Sequence, residues 1–217
     1  MIVNFHGIGT PARDLEPGEG KYWISEGQYD AFLGLIAGSG AEVGITFDDG
    51  NLSDYALGAP GLARHGLTAV FFPLAGRLDT QGSLSSGQVR ELLSEGHRIG
   101  THGYSHRSWI AMAPSVLEEE LVLARRKLSD TIDQPVDEAA IPFGRYDRAT
   151  LAALKRLGYR RVYSSDGGAF AGDPHPVPRW SVQSGTTEAD LEAFLNDDEG
   201  LYPRLRRIAS RAKKTWL

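Results

Sequence analysis

The sequence predicts one parallel α/β domain over residues 1–217, closed as a barrel rather than spread as an open sheet. Three observations lead there. Short β-rich runs alternate with amphipathic runs at the spacing of repeated strand–helix units. Polar clusters follow directly on the strands: His6, Asp48-Asp49, His102 and the turn at 142–147. In a parallel barrel all strand ends converge on one face, so these groups would meet, whereas an open sheet would spread them along an edge. Finally, no internal repeat, low-complexity tract or linker divides the 217 residues, which suffice for one sizeable core.

The elements follow in chain order. Ile2–Phe5 is a short apolar run ending in His6-Gly7. Residues 11–27 are rich in Gly, Pro and Glu and read as a long surface loop forming part of a binding rim. Residues 42–47 read as a buried strand that stops at Asp48-Asp49-Gly50. Residues 60–64 look helical, and residues 68–74, TAVFFPL, form the next strand. Ser86–Ser94 is helical by the spacing of Val89, Leu92 and Leu93, and residues 98–101 form a short strand leading into His102. Pro114–Ile132 is the clearest helix, with Val116, Leu117, Leu121, Ala124 and Leu128 near one face. Residues 139–141 make a strand closed by Pro142, and residues 148–157 a helix stopped by Gly158. Arg161–Ser164 and residues 177–182 are the last strands; helices at Glu188–Leu195 and at residues 203–214 close the chain.

Composition narrows the chemistry. A net charge of −5 carries no nucleic-acid footprint. With no cysteine, disulfides, Cys-ligated zinc and thiol nucleophiles are excluded, so any metal must be held by His, Asp or Glu. The first residues lack a basic start followed by a sustained apolar run, and no later stretch is apolar enough to span a bilayer. With Met1 as the native start, this predicts a cytoplasmic protein.

Two constellations carry chemistry. In ITFDDG, residues 45–50, a β-branched strand delivers two adjacent carboxylates into a turn. Successive strand side chains point opposite ways, but a turn at Gly50 can let both face one cavity. Crowded carboxylates repel unless a cation intervenes. A metal on one would leave the other ionised as a base; the plainer alternative is a turn that only caps the strand. In THGYSH, residues 101–106, two histidines stand at His-x-x-x-His spacing. On a helix they would share a face, but Gly103 favours a loop, which can equally close around an ion or simply expose two histidines. Asp, His and His together make a three-ligand set with room for water, as in hydrolytic zinc sites. Non-haem iron oxygenases use the same set, usually on an all-β scaffold that the helical spacing here does not support.

TFDDG at residues 46–50, HGYSH at residues 102–106 with its lead-in EGHRIGT, and IPFGRYD at residues 141–147 together resemble the signature of the polysaccharide deacetylase family (NodB homology, carbohydrate esterase family 4). The resemblance spans residues 2–182. It implies a distorted (β/α)7-type barrel and metal-dependent hydrolysis of an N-acetyl group on a sugar or polysaccharide, with release of acetate. Carried over by position, Asp48 is the base and Asp49, His102 and His106 are the metal ligands. Pro142, Phe143 and Gly144 line the substrate groove, and the Phe143 N–H helps hold the oxyanion. Zinc is the default ion, with cobalt, nickel or iron able to use the same ligands.

The chain departs from that pattern twice. An arginine that orients the base in the third motif is replaced by Ala140, and Arg179 is the candidate substitute from a neighbouring strand end; a rim salt bridge is the alternative. The fifth-motif histidine that acts as general acid is missing from residues 177–182, which leaves His6 as the preferred acid and His175 as runner-up. Asp166, at the fourth motif, would buttress Arg179, line the site or merely shape a turn. Trp109, Tyr146 and Trp180 are aromatics that could stack on sugar rings or fill the core. His97 reads as packed beneath the site and His65 as a helix-end residue. The run from Arg204 to Lys214 holds six basic residues and no acidic one. It reads as a closing helix with a solvated side, and its charge also suits weak association with an anionic membrane or a lipid-linked glycan phosphate. Two rivals stay open: an amidohydrolase of related fold acting on a non-carbohydrate amide, such as a cyclic ureide or imide, and a glycan-binding domain without catalysis.

Overall fold

The computed structural model describes residues 1–198 and Lys214. Ten strands and six helices alternate along the described chain, and every pairing between the strands is parallel. Strand β1 (Ile2–Phe5) sits between β10 (Trp180–Ser181) and β4 (Gly44–Asp49), and β5 (Val70–Pro73) and β6 (Arg98–Ile99) continue outward from β4. A second sheet holds β7 (Glu138–Ala140), β8 (Arg161–Ser164) and β9 (Val177–Pro178). A small pair, β2 (Gly7–Ile8) and β3 (Trp23–Ile24), stands apart.

The two larger sheets meet at two seams. At one, Thr101 forms an isolated parallel bridge with Ala139: the Thr101 N–H donates to Glu138 at 3.0 Å and the Ala140 N–H to Thr101 at 2.9 Å. At the other, β9 pairs with β8 and β10 pairs with β1, and the single residue between them is Arg179. The strands thus occupy seven positions, as the (β/α)7-type expectation requires, but the ladder is interrupted rather than continuously closed. Residues 177–182, expected as one strand, are two short ones broken at Arg179.

Most expected elements lie where the sequence places them. Helices α3 (Ser86–Ser94), α4 (Pro114–Ile132) and α6 (Glu188–Leu195) match residue for residue, and α5 (Arg148–Arg156) ends one residue early. Helix α2 (Ala59–Arg64) is entered through a wide turn at Asp54–Gly58. The β4 strand runs through both aspartates instead of stopping before them. On α4 the buried face carries Leu117, Glu120, Leu121, Ala124 and Leu128, whereas Val116 is 39 % exposed, so a glutamate takes a place expected for valine.

The larger correction concerns residues 11–27. They are not a surface loop throughout: Trp23 and Ile24 are buried in β3, and Glu26 opens α1 (Glu26–Gly38). Three glycines inside the α1 stretch weaken its helical signal, since each costs about 1 kcal/mol against alanine. A capping box at Ser25 and Gln28, with Tyr29, Phe32, Leu33 and Ile36 buried at helical spacing, overrides that cost. Each fully buried side chain of this kind contributes roughly 1.5–3 kcal/mol. The expected closing helix at residues 203–214 lies outside the described residues, Lys214 excepted. Among the described residues no helix is long and apolar enough to cross a membrane.

Candidate active site

Strand β4 brings the two aspartates to one place by a local break in its geometry. Asp49 has φ 76° and Gly50 φ 70°, so the strand's alternation is lost where it reaches the rim. Left-handed backbone at a non-glycine residue costs about 1 kcal/mol or more and persists only where surrounding structure holds it. Gly50 is required twice over, because a Cβ there would stand 2.6 Å from the Pro73 Cβ. Asp48 and Asp49 are both almost fully buried.

Asp48 is held by Arg179. The guanidinium donates from Nη1 to Oδ1 and from Nη2 to Oδ2, both at 2.7 Å, and Asn4 adds a bond to Oδ2 at 3.1 Å. Arg179 is 0 % exposed, lies beside the paired Phe72 and Tyr163 rings, and also donates to Asn4 Oδ1 at 3.0 Å. Burial pushes the Asp48 carboxyl toward its neutral form, but the charge and hydrogen bonds of Arg179, joined by His102 and His6, together outweigh it and hold the group well below the usual carboxylate range. The pair is buried and bidentate and is not a salt bridge at the rim.

Asp49 faces a different pair. Its Oδ1 lies 3.6 Å from His102 Nε2 and 3.4 Å from His106 Nε2, and is buried with no hydrogen-bond donor. One ligand atom from each of the three residues falls within 4.8 Å of the others. Ligands about 2.0–2.1 Å from a tetrahedral ion stand roughly 3.3 Å apart, so the spacing suits a metal. Each histidine has its other nitrogen engaged: His102 Nδ1 lies 2.9 Å from the Ala140 carbonyl and His106 Nδ1 lies 2.7 Å from Glu16 Oε2. These acceptors assign the proton to Nδ1 and leave both Nε2 lone pairs toward Asp49. Burial pushes the His102 pKa down to about 4, against the pull of Asp48 and Asp49, so the ring is neutral as a ligand must be.

The HGYSH segment is a loop, as Gly103 suggests, with φ 90° at Gly103 and 54° at His106. Glu120 of α4 shapes it, accepting from the Tyr104 and Ser105 N–H groups at 2.9 and 2.7 Å and from the Ser105 hydroxyl at 2.8 Å. Trp109 is buried against Gly103.

A cavity of about 450 Å³ opens above these groups. His6, Tyr22, Asp48, Asp49, His102, His106 and Phe143 are among its lining residues. His6 Nε2 stands 3.9 Å from Asp48 Oδ2, its ring stacks on Tyr22 at 4.5 Å, and its buried Nδ1 has no partner. Phe143, with φ 58°, is 52 % exposed and lies over the His106 ring at 4.6 Å; Pro142 and Gly144 beside it are buried. The Phe143 N–H has no acceptor among the described residues.

Several expected residues are not brought here. His175 is exposed in the loop before β9 and does not line the cavity, so it is not placed to act as an acid. Tyr146 is buried and donates to Asp166 at 2.7 Å rather than offering a face to a ligand. Asp166 also accepts from Ser164 at 2.7 Å and from Lys214 at 2.5 Å; it neither lines the cavity nor touches the Arg179 guanidinium. Trp180 stacks on Phe194, away from the cavity. His97 is buried, with its Nδ1 accepting from Ala69, and His65 caps α2 beside Asp30.

Three residues at the site escape sequence reasoning. Asn4 is a polar residue inside the buried β1 run, and Glu120 is an acid at the helical spacing of an apolar face; both are legible as anomalies in hindsight. Glu16 lies in the stretch read as part of a binding rim, but nothing in the sequence singles it out there.

The family model described as polysaccharide deacetylase matches residues 37–162. The chain is 26% identical over 153 residues to YxkH of Bacillus subtilis, a protein named among polysaccharide deacetylases; the match covers 70% of this chain and 55% of that protein. The chain therefore spans little more than half the length of that relative. Among solved structures, the Streptococcus pyogenes deacetylase PplD in complex with acetate superposes with a TM-score of 0.75 at 20% identity, covering 89% of this chain and 96% of that one. IcaB from Ammonifex degensii superposes with a TM-score of 0.73 at 18% identity, covering 89% and 95%. At these identities the structures share the fold.

Proposed function

The chain belongs to the polysaccharide deacetylase family, and on that footing we propose that it is a hydrolase removing N-acetyl groups from an N-acetylated sugar or polysaccharide. Members of the family are metal-dependent hydrolases of this kind. The observation that carries the reading is the pairing, at the floor of one cavity, of a carboxylate kept ionised by Arg179 with a three-residue ligand set whose Asp49 oxygen is buried and unpartnered. A glycan-binding module needs neither.

Asp49, His102 and His106 would hold a divalent ion, zinc by preference for this ligand set, and that ion would supply Lewis-acid polarisation of the amide carbonyl and a water of lowered pKa. Asp48, adjacent and anionic, is placed to accept the proton of the attacking water. Arg179 keeps Asp48 in one orientation and ionised. The Phe143 N–H is a donor for the developing oxyanion. His6, a cavity-lining residue whose Nε2 lies 3.9 Å from Asp48 Oδ2, would protonate the departing amine. Phe143 and Tyr22 give the cavity two aromatic surfaces for a sugar ring. PplD was solved with acetate, the product expected here. Weak association with an anionic membrane or a lipid-linked glycan phosphate rests on the basic charge of residues 203–214 alone.

The test combines metal analysis with an acetate-release screen over N-acetylated sugars, run beside cyclic amide substrates. Wild type should contain about one equivalent of metal and release acetate, His106→Ala should lose the metal, and Asp48→Asn should keep it while losing most activity. Turnover of cyclic amides without acetate release would replace this reading with the amidohydrolase one.

A further inference from the structure

Resting on the reading of Asp49, His102 and His106 as the metal site, we infer that Glu16 is a positioning residue for His106. It makes the segment that carries it part of the metal centre. The two histidines are oriented by different kinds of acceptor. His102 uses the Ala140 carbonyl, a neutral group at the end of β7. His106 uses Glu16 Oε2 at 2.7 Å, a carboxylate delivered from 90 residues earlier in the chain. A negative acceptor on Nδ1–H fixes the tautomer and raises the basicity of the opposite nitrogen, the one that faces Asp49.

Glu16 is itself held from both sides. Its other carboxylate oxygen pairs with Arg77. Arg77 sits in the turn after β5, and that turn is bonded to the histidine loop: the Ala75 N–H donates to Gly103 at 3.0 Å and the Gly76 N–H to Tyr104 at 2.9 Å. The Glu16 N–H donates to Glu19 Oε2 at 2.8 Å, and the buried Glu19 pairs with Arg13. Arg13 Nη2 in turn donates to Asn51 Oδ1 at 2.8 Å, and Asn51 donates to the His6 carbonyl at 3.0 Å. The carboxylate on His106 is therefore the end of a braced network spanning the DDG turn and the histidine loop. A solvated ion pair would have neither the brace nor the imidazole contact.

The experiment measures Zn²⁺ affinity by competition with a chromophoric chelator. Glu16→Ala and Glu16→Met both remove the acceptor, and the latter keeps the side chain's length should the former not fold. Each should weaken Zn²⁺ binding about ten- to hundred-fold. Glu16→Gln, whose amide oxygen still accepts, should recover part of the loss. Arg13→Ala loosens the same segment but leaves the acceptor, and should lose less than Glu16→Ala. Wild-type affinity in folded Glu16→Met, or an equal loss in Arg13→Ala, would overturn the role of Glu16 while leaving the metal site standing. A wild-type protein that binds no Zn²⁺ would instead remove the metal site and this inference with it.

Discussion

Arg179 grips both oxygens of Asp48 at 2.7 Å across 131 residues of chain, and both side chains are almost fully buried. Breaking a buried pair by removing one partner typically costs 3–5 kcal/mol, because the remaining charge is left uncompensated. Arg179→Met should therefore lower the melting temperature and cut kcat/KM by roughly 10²–10⁴-fold, the usual worth of general acid–base help. Burial would then act on Asp48 with its main opposing charge removed, raising its pKa, so the acid limb of the activity profile should move to higher pH. Arg179→Lys, a point charge without the planar fork, should restore only part of either loss. An Arg179→Met enzyme with the wild-type pH profile would contradict this assignment.

His6 separates an acid from a ligand. It lies 3.9 Å from Asp48 and outside the Asp49–His102–His106 group. His6→Ala should lower kcat by about 10²-fold or more with metal content unchanged. Metal analysis beside steady-state kinetics decides it: loss of metal would mean that His6 supports the ligands.

The metal-free protein should be most stable in a limited pH range, with opposite causes on its two sides. His102 takes up a proton near its ordinary 6.5 when unfolded but only at about 4 when folded. Between those values the unfolded chain binds more protons, so stability falls as pH drops from 6.5 toward 4. Asp54 behaves in the other sense. Burial first, and then the charge of Asp49, hold its carboxyl protonated well above the ordinary 3.8. There the folded state binds more protons, so stability falls as pH rises through that range. Asp48 contributes its full stabilisation above 3.8 and loses it only as pH falls below that value. Thermal melts across pH 4–9 should show a shallower acid-side fall in His102→Asn. Asp54→Asn should gain on wild type increasingly toward alkaline pH; a constant difference between the two would exclude Asp54 titration.

The sequence alone determines much of this protein, for a local reason. Helices α3, α4 and α6 follow from apolar spacing and end signals that act over a few residues. The proposed metal ligands and base sit in two contiguous motifs, ITFDDG and THGYSH, whose residue types and turns suggest that chemistry. The helix at Glu26–Gly38 is hidden by its glycines, because its stability comes from a cap and a buried face rather than from propensity.

What only the tertiary structure decides are relationships between distant segments. The sequence nominates Arg179, but the chain must turn between β9 and β10 to drive that side chain into the core against Asp48. Asn4, Glu120 and Glu16 have no motif, since what selects them is the group each meets across the fold. His6 and His175 look alike as candidates along the chain; strand β1 delivers the one to the cavity and an exposed loop keeps the other away. Hydrogen bonds and charge pairs act over a few ångströms, so their partners are chosen by how the strands close around the site and not by separation in sequence.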